Sequence, residues 1–136
     1  MKKKFVVGSA VASTLTASTL TAGLALANQF AKKMLYREHL SKDDQGNWYE
    51  DIGASKVKIK NHKGMFLQAY LIEKPQAKRT IICLHALLNS AHSLQAVVDY
   101  FQSVFPDENI LMIDANAHGL SDGYIRGFGY RDVFDL

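Results

Sequence analysis

The sequence predicts an α/β fold in which an antiparallel hairpin leads into parallel strands joined by a crossover helix. Two observations carry this prediction. Residues 55–72 contain two strand-like segments separated by a polar turn with a glycine at its end, at 61–64, which is typical of a β-hairpin. Residues 80–113 then show strand, helix and strand in succession, and such a connection makes the two strands parallel neighbours in one sheet.

Each element has its own pattern. Val57 and Ile59 alternate with lysines at 56, 58 and 60, which predicts a half-exposed strand, and residues 65–72 form its partner. The β-branched and apolar run at 80–84 predicts a strand buried on both faces. Apolar residues recur every three or four positions between Leu94 and Phe105, so a helix is expected there, with Pro106 as its end. The apolar run at 110–113 is the last predicted strand.

The N-terminal segment reads as a targeting signal. Lysines at 2–4 precede residues 5–27, which carry no charge. The small residues Ala25 and Ala27 favour a signal peptide cleaved before Asn28, whereas the length favours a retained transmembrane anchor, which needs about 20 largely apolar residues. Either alternative predicts a protein that is secreted, or anchored in the membrane with its domain outside the cytoplasm. A continuing helix at 28–40 and a polar linker at 41–46 follow, so the expected divisions are 1–27, 28–54 and 55–136.

Charge and cysteine content exclude several classes of protein. The net charge of +3 is accounted for by the three N-terminal lysines, so no nucleic-acid surface is expected. The single cysteine, Cys83, can form no intrachain disulfide and lies in an apolar run, where a buried core residue is expected. The histidines and carboxylates show no spacing typical of a metal site, so neither a metal nor another cofactor is predicted.

Two loops follow the apolar strands, at 85–90 and 114–123, where open α/β sheets collect their functional residues. The second contains the pattern Gly-x-Ser-x-Gly from Gly119 to Gly123, which is the nucleophile elbow of serine hydrolases when the serine lies on a sharp turn from strand to helix. Residues 114–118 separate Ser121 from its strand, and the glycines after it disfavour a helix. Ser121 is therefore expected to be a turn hydroxyl bonded to nearby backbone.

These motifs resemble the N-terminal third of an α/β-hydrolase-fold protein over residues 57–136. The closest likeness is to membrane-anchored or secreted serine hydrolases of Gram-positive bacteria, related to the serine aminopeptidase and lysophospholipase-like groups. The matching stretches are 85–87, which follows the third strand, 114–123, and the glycine- and aromatic-rich 127–130.

The resemblance implies an oxyanion-hole donor, the backbone N–H of Leu87. It implies a scaffold of loop residues around that donor: His85, Ala86, Asp114, His118, Gly119, Ser121 and Gly123. Two positions depart from the family pattern. Ala86 replaces a glycine, which adds a Cβ beside the donor, and Asn116 replaces an arginine, which removes a bidentate donor that would brace neighbouring loops.

The resemblance also implies that the nucleophile elbow, the acid and the catalytic histidine of the family lie beyond residue 136. The expected protein is thus a truncated serine hydrolase for small-molecule or peptide substrates, marginally stable, inactive alone and without a catalytic residue of its own. Two alternatives stay open. One is a small active hydrolase that uses Ser121. The other is a non-catalytic surface or binding protein outside the cytoplasm.

Overall fold

The computed structural model describes residues 3–37, 47–129 and 132–134, with side chains from residue 19 onward. The predicted linker at 41–46, the end of the predicted helix from residue 38 onward and Tyr130 lie outside the described residues. The chain divides into two compact units, Met1–Leu35 and Tyr36–Leu136. The sequence-based boundaries at 27 and 54 differ from this division and stay predictions.

The first unit is a single helix, α1 (Lys3–Leu35). Several of its apolar side chains are exposed to solvent, among them Leu20, Leu24 and Phe30. Within the described part of the chain, we find no helix whose length and apolar character would let it cross a membrane. The signal peptide, the membrane anchor and the location outside the cytoplasm stay predictions.

The second unit is built on a four-stranded sheet with the strand order β1-β2-β4-β3. Strand β1 pairs with β2, and β2 with β4, in antiparallel fashion, whereas β3 and β4 are parallel. The predicted mixed α/β sheet is therefore confirmed. The helices and strands are α2 (Trp48–Asp51), β1 (Ser55–Lys60), β2 (Phe66–Ile72), β3 (Thr80–Leu84), a 3-10 helix (Ala91–Leu94), α3 (Gln95–Val104), β4 (Asn109–Ile113) and a short 3-10 helix (Asp132–Phe134).

One face of the sheet carries the larger part of the core. Buried residues of β2, β3 and β4 on this face pack against Trp48 of α2 and Val98 of α3. The rings of Trp48 and Tyr70 lie 4.8 Å apart, in the offset range that favours aromatic pairs. Cys83 belongs to this core as expected, and its burial raises the pKa of the thiol.

The opposite face of the sheet is also apolar but less completely covered. Leu67, Ala69 and Ile113 are buried there. The β3 residues on this face are not: Ile82 is 51% exposed and Leu84 is 52% exposed. The prediction that β3 is buried on both faces was wrong, because β3 is an edge strand of the described sheet and a run of apolar residues does not reveal a strand's position in the sheet order.

Candidate functional site

A cleft of about 320 Å³ opens where β3 and β4 end. The carboxyl ends of parallel strands meet at one edge of a sheet, so the loops after Leu84 and Ile113 form opposite sides of this cleft. Its walls are mainly apolar, and polar groups are contributed by two histidines and one carboxylate. The principal lining residues are Leu67, Leu84, Leu87, Ile113, Phe128, His85, His118 and Asp132.

His85 connects the two loops. Its Nε2 accepts a hydrogen bond of 3.1 Å from the N–H of Ala115, and its Nδ1 lies 2.8 Å from the carbonyl oxygen of Ala86. A backbone N–H can only donate, so Nε2 is the acceptor and Nδ1 carries the proton that it donates to Ala86. Both ring nitrogens are thereby occupied, and the imidazole holds the loop at 85–87 against the loop at 114–118.

The predicted oxyanion donor, Leu87, lies on the wall of the cleft with its side chain 40% exposed. Its backbone N–H has no hydrogen-bond acceptor among the described residues. The next residue, Leu88, has a φ of 67°, which turns the chain sharply. Ala86 is not among the residues with positive φ, so an alanine fits there without left-handed backbone strain. The role of Leu87 as an oxyanion donor stays a prediction.

Asp114 joins three parts of the site and is fully buried. Its Oδ1 accepts a 2.7 Å hydrogen bond from the N–H of Ala91, and its Oδ2 accepts a 2.9 Å bond from the N–H of Leu120. Gly119 has a φ of 47°, and a Cβ at this position would lie 2.1 Å from the Asp114 carboxylate. Glycine is therefore required at 119 both by its backbone conformation and by its closeness to this carboxylate.

Ser121 is fully buried and does not line the cleft. Its Oγ accepts a 2.8 Å hydrogen bond from the N–H of Gln68 and donates a 2.5 Å bond to the carbonyl of Asp114. The neighbouring Asp122 pairs with Phe66 through backbone and carboxylate bonds, which attaches the loop to the start of β2. A hydroxyl so placed is shielded from any substrate, and the geometry speaks against the alternative in which Ser121 is the nucleophile.

Arg37 holds the same loop from the other side and was missed by the sequence analysis. Its Nη1 donates to the carbonyl of Ser121 at 2.5 Å, and its Nη2 donates to the carbonyl of Gly119 at 2.6 Å. Asn116 donates to the carbonyl of Ile125 at 3.3 Å. The bidentate donor that braces this loop is Arg37, and no local pattern marks an arginine so distant in sequence as that donor.

Gly123 completes the loop. Its φ is 105°, and a Cβ would lie 1.9 Å from Oδ1 of Asn116, so a larger residue is excluded here. The pattern Gly-x-Ser-x-Gly is therefore explained by packing: both glycines face buried polar side chains and the serine hydroxyl links two backbone segments.

His118 lines the cleft as a buried imidazole that is 5% exposed. Its Nδ1 lies 2.9 Å from the carbonyl of Asn116, so Nδ1 carries the proton. Nε2 is buried and has no hydrogen-bond partner among the described residues. Burial lowers the pKa of His118 and outweighs the hydrogen bond with Asn116, which acts in the opposite direction, so the ring is neutral at pH 7.

Among the described residues, the lining of the cleft includes no serine, threonine or cysteine, and so no hydroxyl or thiol nucleophile. The described residues also include no group of three or more histidines, cysteines or carboxylates that could hold a metal ion. What the arrangement provides is a mainly apolar cleft lined by two histidines, one carboxylate and Leu87, whose backbone N–H has no acceptor among the described residues. Such a site is suited to an apolar molecule that carries a carbonyl or carboxylate oxygen.

No protein-family model and no curated protein matches this chain. Solved structures do match it, among them an esterase from Pyrococcus furiosus in three crystal forms. One form gives a TM-score of 0.62 with 24% identity and covers 76% of this chain and 39% of the esterase. The others give 0.58 with 22% identity, covering 76% and 38%, and 0.53 with 20% identity, covering 74% and 37%.

The chain therefore spans less than half the length of the esterase that it matches. At these identities the likeness concerns the fold and does not transfer the esterase's activity. This chain contributes a sheet of order β1-β2-β4-β3, in which β3 and β4 are parallel and their following loops lie at one edge. This chain has part of an α/β-hydrolase fold.

Proposed function

We propose that this chain is part of a serine hydrolase that cleaves ester or amide bonds, and that the cleft holds the acyl part of the substrate. The observation that supports the proposal is the amide of Leu87, which lacks an acceptor among the described residues and lies on the wall of an apolar cleft. The motif order at 85–87, 114–123 and 127–130 favours the serine aminopeptidase and lysophospholipase-like groups of Gram-positive bacteria. The N-terminal segment favours a secreted or membrane-anchored form.

The proposed role of Leu87 follows from where charge develops in acyl transfer. Attack on the carbonyl carbon places negative charge on the carbonyl oxygen, and a fixed N–H donor stabilises that charge without reorganisation. The loop at 85–87, which carries the Leu87 N–H, is fixed by the two hydrogen bonds of His85 and by the turn at Leu88. Leu84, Ile113 and Phe128 would pack against the apolar chain of the acyl group.

We further propose that these 136 residues alone do not hydrolyse such substrates. The described lining of the cleft offers no nucleophile, and the hydroxyl of Ser121 is buried and occupied on both sides. The nucleophile, acid and catalytic histidine of the proposed reaction are supplied by residues other than those that line the cleft.

Hydrolysis of p-nitrophenyl butyrate tests this proposal. The protein should release p-nitrophenol from this ester no faster than buffer without protein does. A fluorophosphonate probe should leave Ser121 unlabelled, and labelling that Ser121→Ala abolishes would establish the alternative of a small active hydrolase.

The oxyanion donor is tested separately by binding of butyrate, whose carboxylate stands in for the developing oxyanion. The amide proton of Leu87 should move downfield in an NMR titration as it donates to the carboxylate. Leu87→Pro removes this N–H and should abolish binding, whereas the matched Leu87→Ala keeps the N–H and should retain it. A titration in which the Leu87 amide stays unmoved, or in which both variants bind equally, would show that this N–H is not the donor.

A further inference from the structure

We propose that the hairpin of β1 and β2 docks on a membrane surface that contains anionic lipids, through a stripe of lysines. The lysine stripe consists of Lys56, Lys58, Lys60 and Lys63, which are all exposed. Strand β1 lies at the end of the sheet order opposite β3. Further strands of the proposed hydrolase would join the sheet beside β3, so they would leave the lysine stripe accessible.

The lysine stripe runs along one face of β1 and into the hairpin turn. Side chains two residues apart lie on the same side of a strand, so the three lysines of β1 share a face. Val57 and Ile59 between them turn to the opposite face and pack on the core there. Lys60 also reaches the turn, since a Cβ at Gly64 would lie 3.7 Å from its Cε. Lys63 belongs to that turn, and the four lysines therefore form one continuous surface.

No carboxylate among the described residues forms an ion pair with the lysine stripe. Residues 55–72 include no aspartate or glutamate, whereas residues 73–136 carry eight acidic and five basic residues. Two carboxylates lie near the hairpin and are bound elsewhere. Glu50 accepts a hydrogen bond from the tyrosine before it, and Asp122 accepts one from the first N–H of β2. Net positive charge beyond residue 54 is therefore confined to this hairpin.

Two aromatic rings accompany the lysines. The Nζ of Lys56 lies 4.5 Å from the centroid of the Tyr49 ring. Lys60 pairs across the strands with Phe66, which is 46% exposed. Lysines that extend their charge towards lipid headgroups, with aromatic rings at the headgroup level, are typical of a membrane interface. Charges on an edge strand also prevent strand pairing, but a charge of either sign would do that, whereas uniform positive charge matches an anionic surface.

An anionic lipid surface fits the lysine stripe better than a nucleic acid does. All four cations are lysines, which act as point charges, and none is an arginine, whose planar fork suits single phosphates and base edges. Attraction to an anionic bilayer needs only such diffuse charge, and each lysine near the surface strengthens binding by a factor of about five. A membrane anchor, one of the two predicted roles of the N-terminal segment, would keep the hairpin near such a surface.

Acetylation of lysines by a water-soluble reagent, read at each residue by mass spectrometry, tests the proposal on the whole chain. Vesicles of phosphatidylglycerol and phosphatidylcholine in equal amounts should slow acetylation at every position of the lysine stripe, and vesicles of phosphatidylcholine alone should not. Lys74 and Lys78, in the loop after β2, should react at the same rate with either vesicle. Because the rate is read at each lysine, membrane binding by the N-terminal segment does not obscure the result.

Two double variants of equal net charge measure the contribution of the lysine stripe. Lys58→Gln with Lys60→Gln should raise the concentration of anionic vesicles needed to protect Lys56 by roughly twentyfold or more, because two factors of about five are lost. Lys74→Gln with Lys78→Gln removes the same charge away from the stripe and should leave that concentration nearly unchanged. Circular dichroism checks that both variants fold.

Four results would overturn the proposal. They are unchanged acetylation of the lysine stripe with anionic vesicles, equal protection by phosphatidylcholine alone, an equal shift in the two double variants, and protection by a DNA duplex without protection by anionic vesicles. The last result would assign the stripe to a nucleic acid. None of these measurements involves the Leu87 amide, so this proposal is tested independently of the proposed hydrolase function.

Discussion

Replacement of Arg37 by alanine should destabilise the second unit of this chain more than replacement of Arg79 does. The guanidinium is partly buried and donates to the carbonyls of Gly119 and Ser121 at 2.6 and 2.5 Å. These two carbonyls belong to the tight turn that carries the candidate motif. Without the guanidinium, both acceptors lose their charged donor while the turn stays packed against its surroundings.

The expected magnitude follows from these two bonds. A hydrogen bond to a charged group contributes about 1.5–3 kcal/mol when buried, and partial exposure of Arg37 reduces this to about 1–1.5 kcal/mol for each bond. Arg37→Ala should therefore lower the free energy of unfolding by about 2–3 kcal/mol. Arg37→Lys keeps one donor of the same charge but cannot reach both carbonyls in a fork, so about half of the loss is expected.

The assay is thermal unfolding followed by circular dichroism, with hydrogen exchange of the backbone amides of 117–122 as a local probe. For a unit of this size a loss of 1 kcal/mol lowers Tm by about 4–8 °C, so the alanine variant should melt roughly 10 to 20 °C lower. Arg79→Ala is the control, because Arg79 is 73% exposed in its ion pair with Glu108 and should matter little. Two results would refute the reasoning: the same Tm for Arg37→Ala and Arg79→Ala, or unchanged amide hydrogen exchange at 117–122 in Arg37→Ala. Either would mean that the two hydrogen bonds of Arg37 do not stabilise the turn.

Three further predictions concern the same loops. Asp114→Asn replaces an acceptor oxygen by a donating amide next to a buried backbone N–H, so urea unfolding should show a loss of about 1–3 kcal/mol; a wild-type midpoint would contradict this. Gly119→Ala should cost at least about 1–3 kcal/mol more than Gly53→Ala in the same assay, because both glycines have positive φ but only 119 would place a Cβ against a carboxylate. Because burial lowers the pKa of His118 in the folded state, the unfolded state binds this proton more readily, and stability should fall as the pH decreases through about 6.5. His118→Gln should flatten that part of the pH profile, and identical profiles would show that this histidine is not responsible.

The strands were predictable because their signals are local. Alternation at 56–60 and apolar runs at 80–84 and 110–113 each specify an extended segment, and the structure places β1, β3 and β4 at nearly those residues. Parallel pairing of β3 and β4 followed from the helix between them. Sheet order was harder, because nothing in an apolar pentapeptide distinguishes a central strand from an edge strand. The exposure of Ile82 and Leu84 could not be foreseen for this reason.

The candidate site divides in the same way. The sequence pointed to the loops at 85–90 and 114–123 because both directly follow apolar strands, and the structure brings His85, Leu87 and His118 to one cleft. The hydrogen bonds of Arg37 to this loop were not predictable, since residues 37 and 121 are 84 positions apart and only the folded backbone brings them together. The burial of Ser121 between Gln68 and Asp114 likewise depends on contact between separate segments.

The amino-acid sequence alone therefore specified the elements of this protein, the parallel connection and the loops where function is expected, because periodicity, turn chemistry and strand-to-loop adjacency are local properties of a chain. The sequence also predicted that Ser121 of the pattern Gly-x-Ser-x-Gly is a turn hydroxyl, and tertiary structure decided which groups the pattern contacts. Its glycines make room for buried side chains of Asp114 and Asn116, and its serine joins two backbone segments. These roles depend on distances between residues far apart in sequence, and such distances exist only once the sheet has formed.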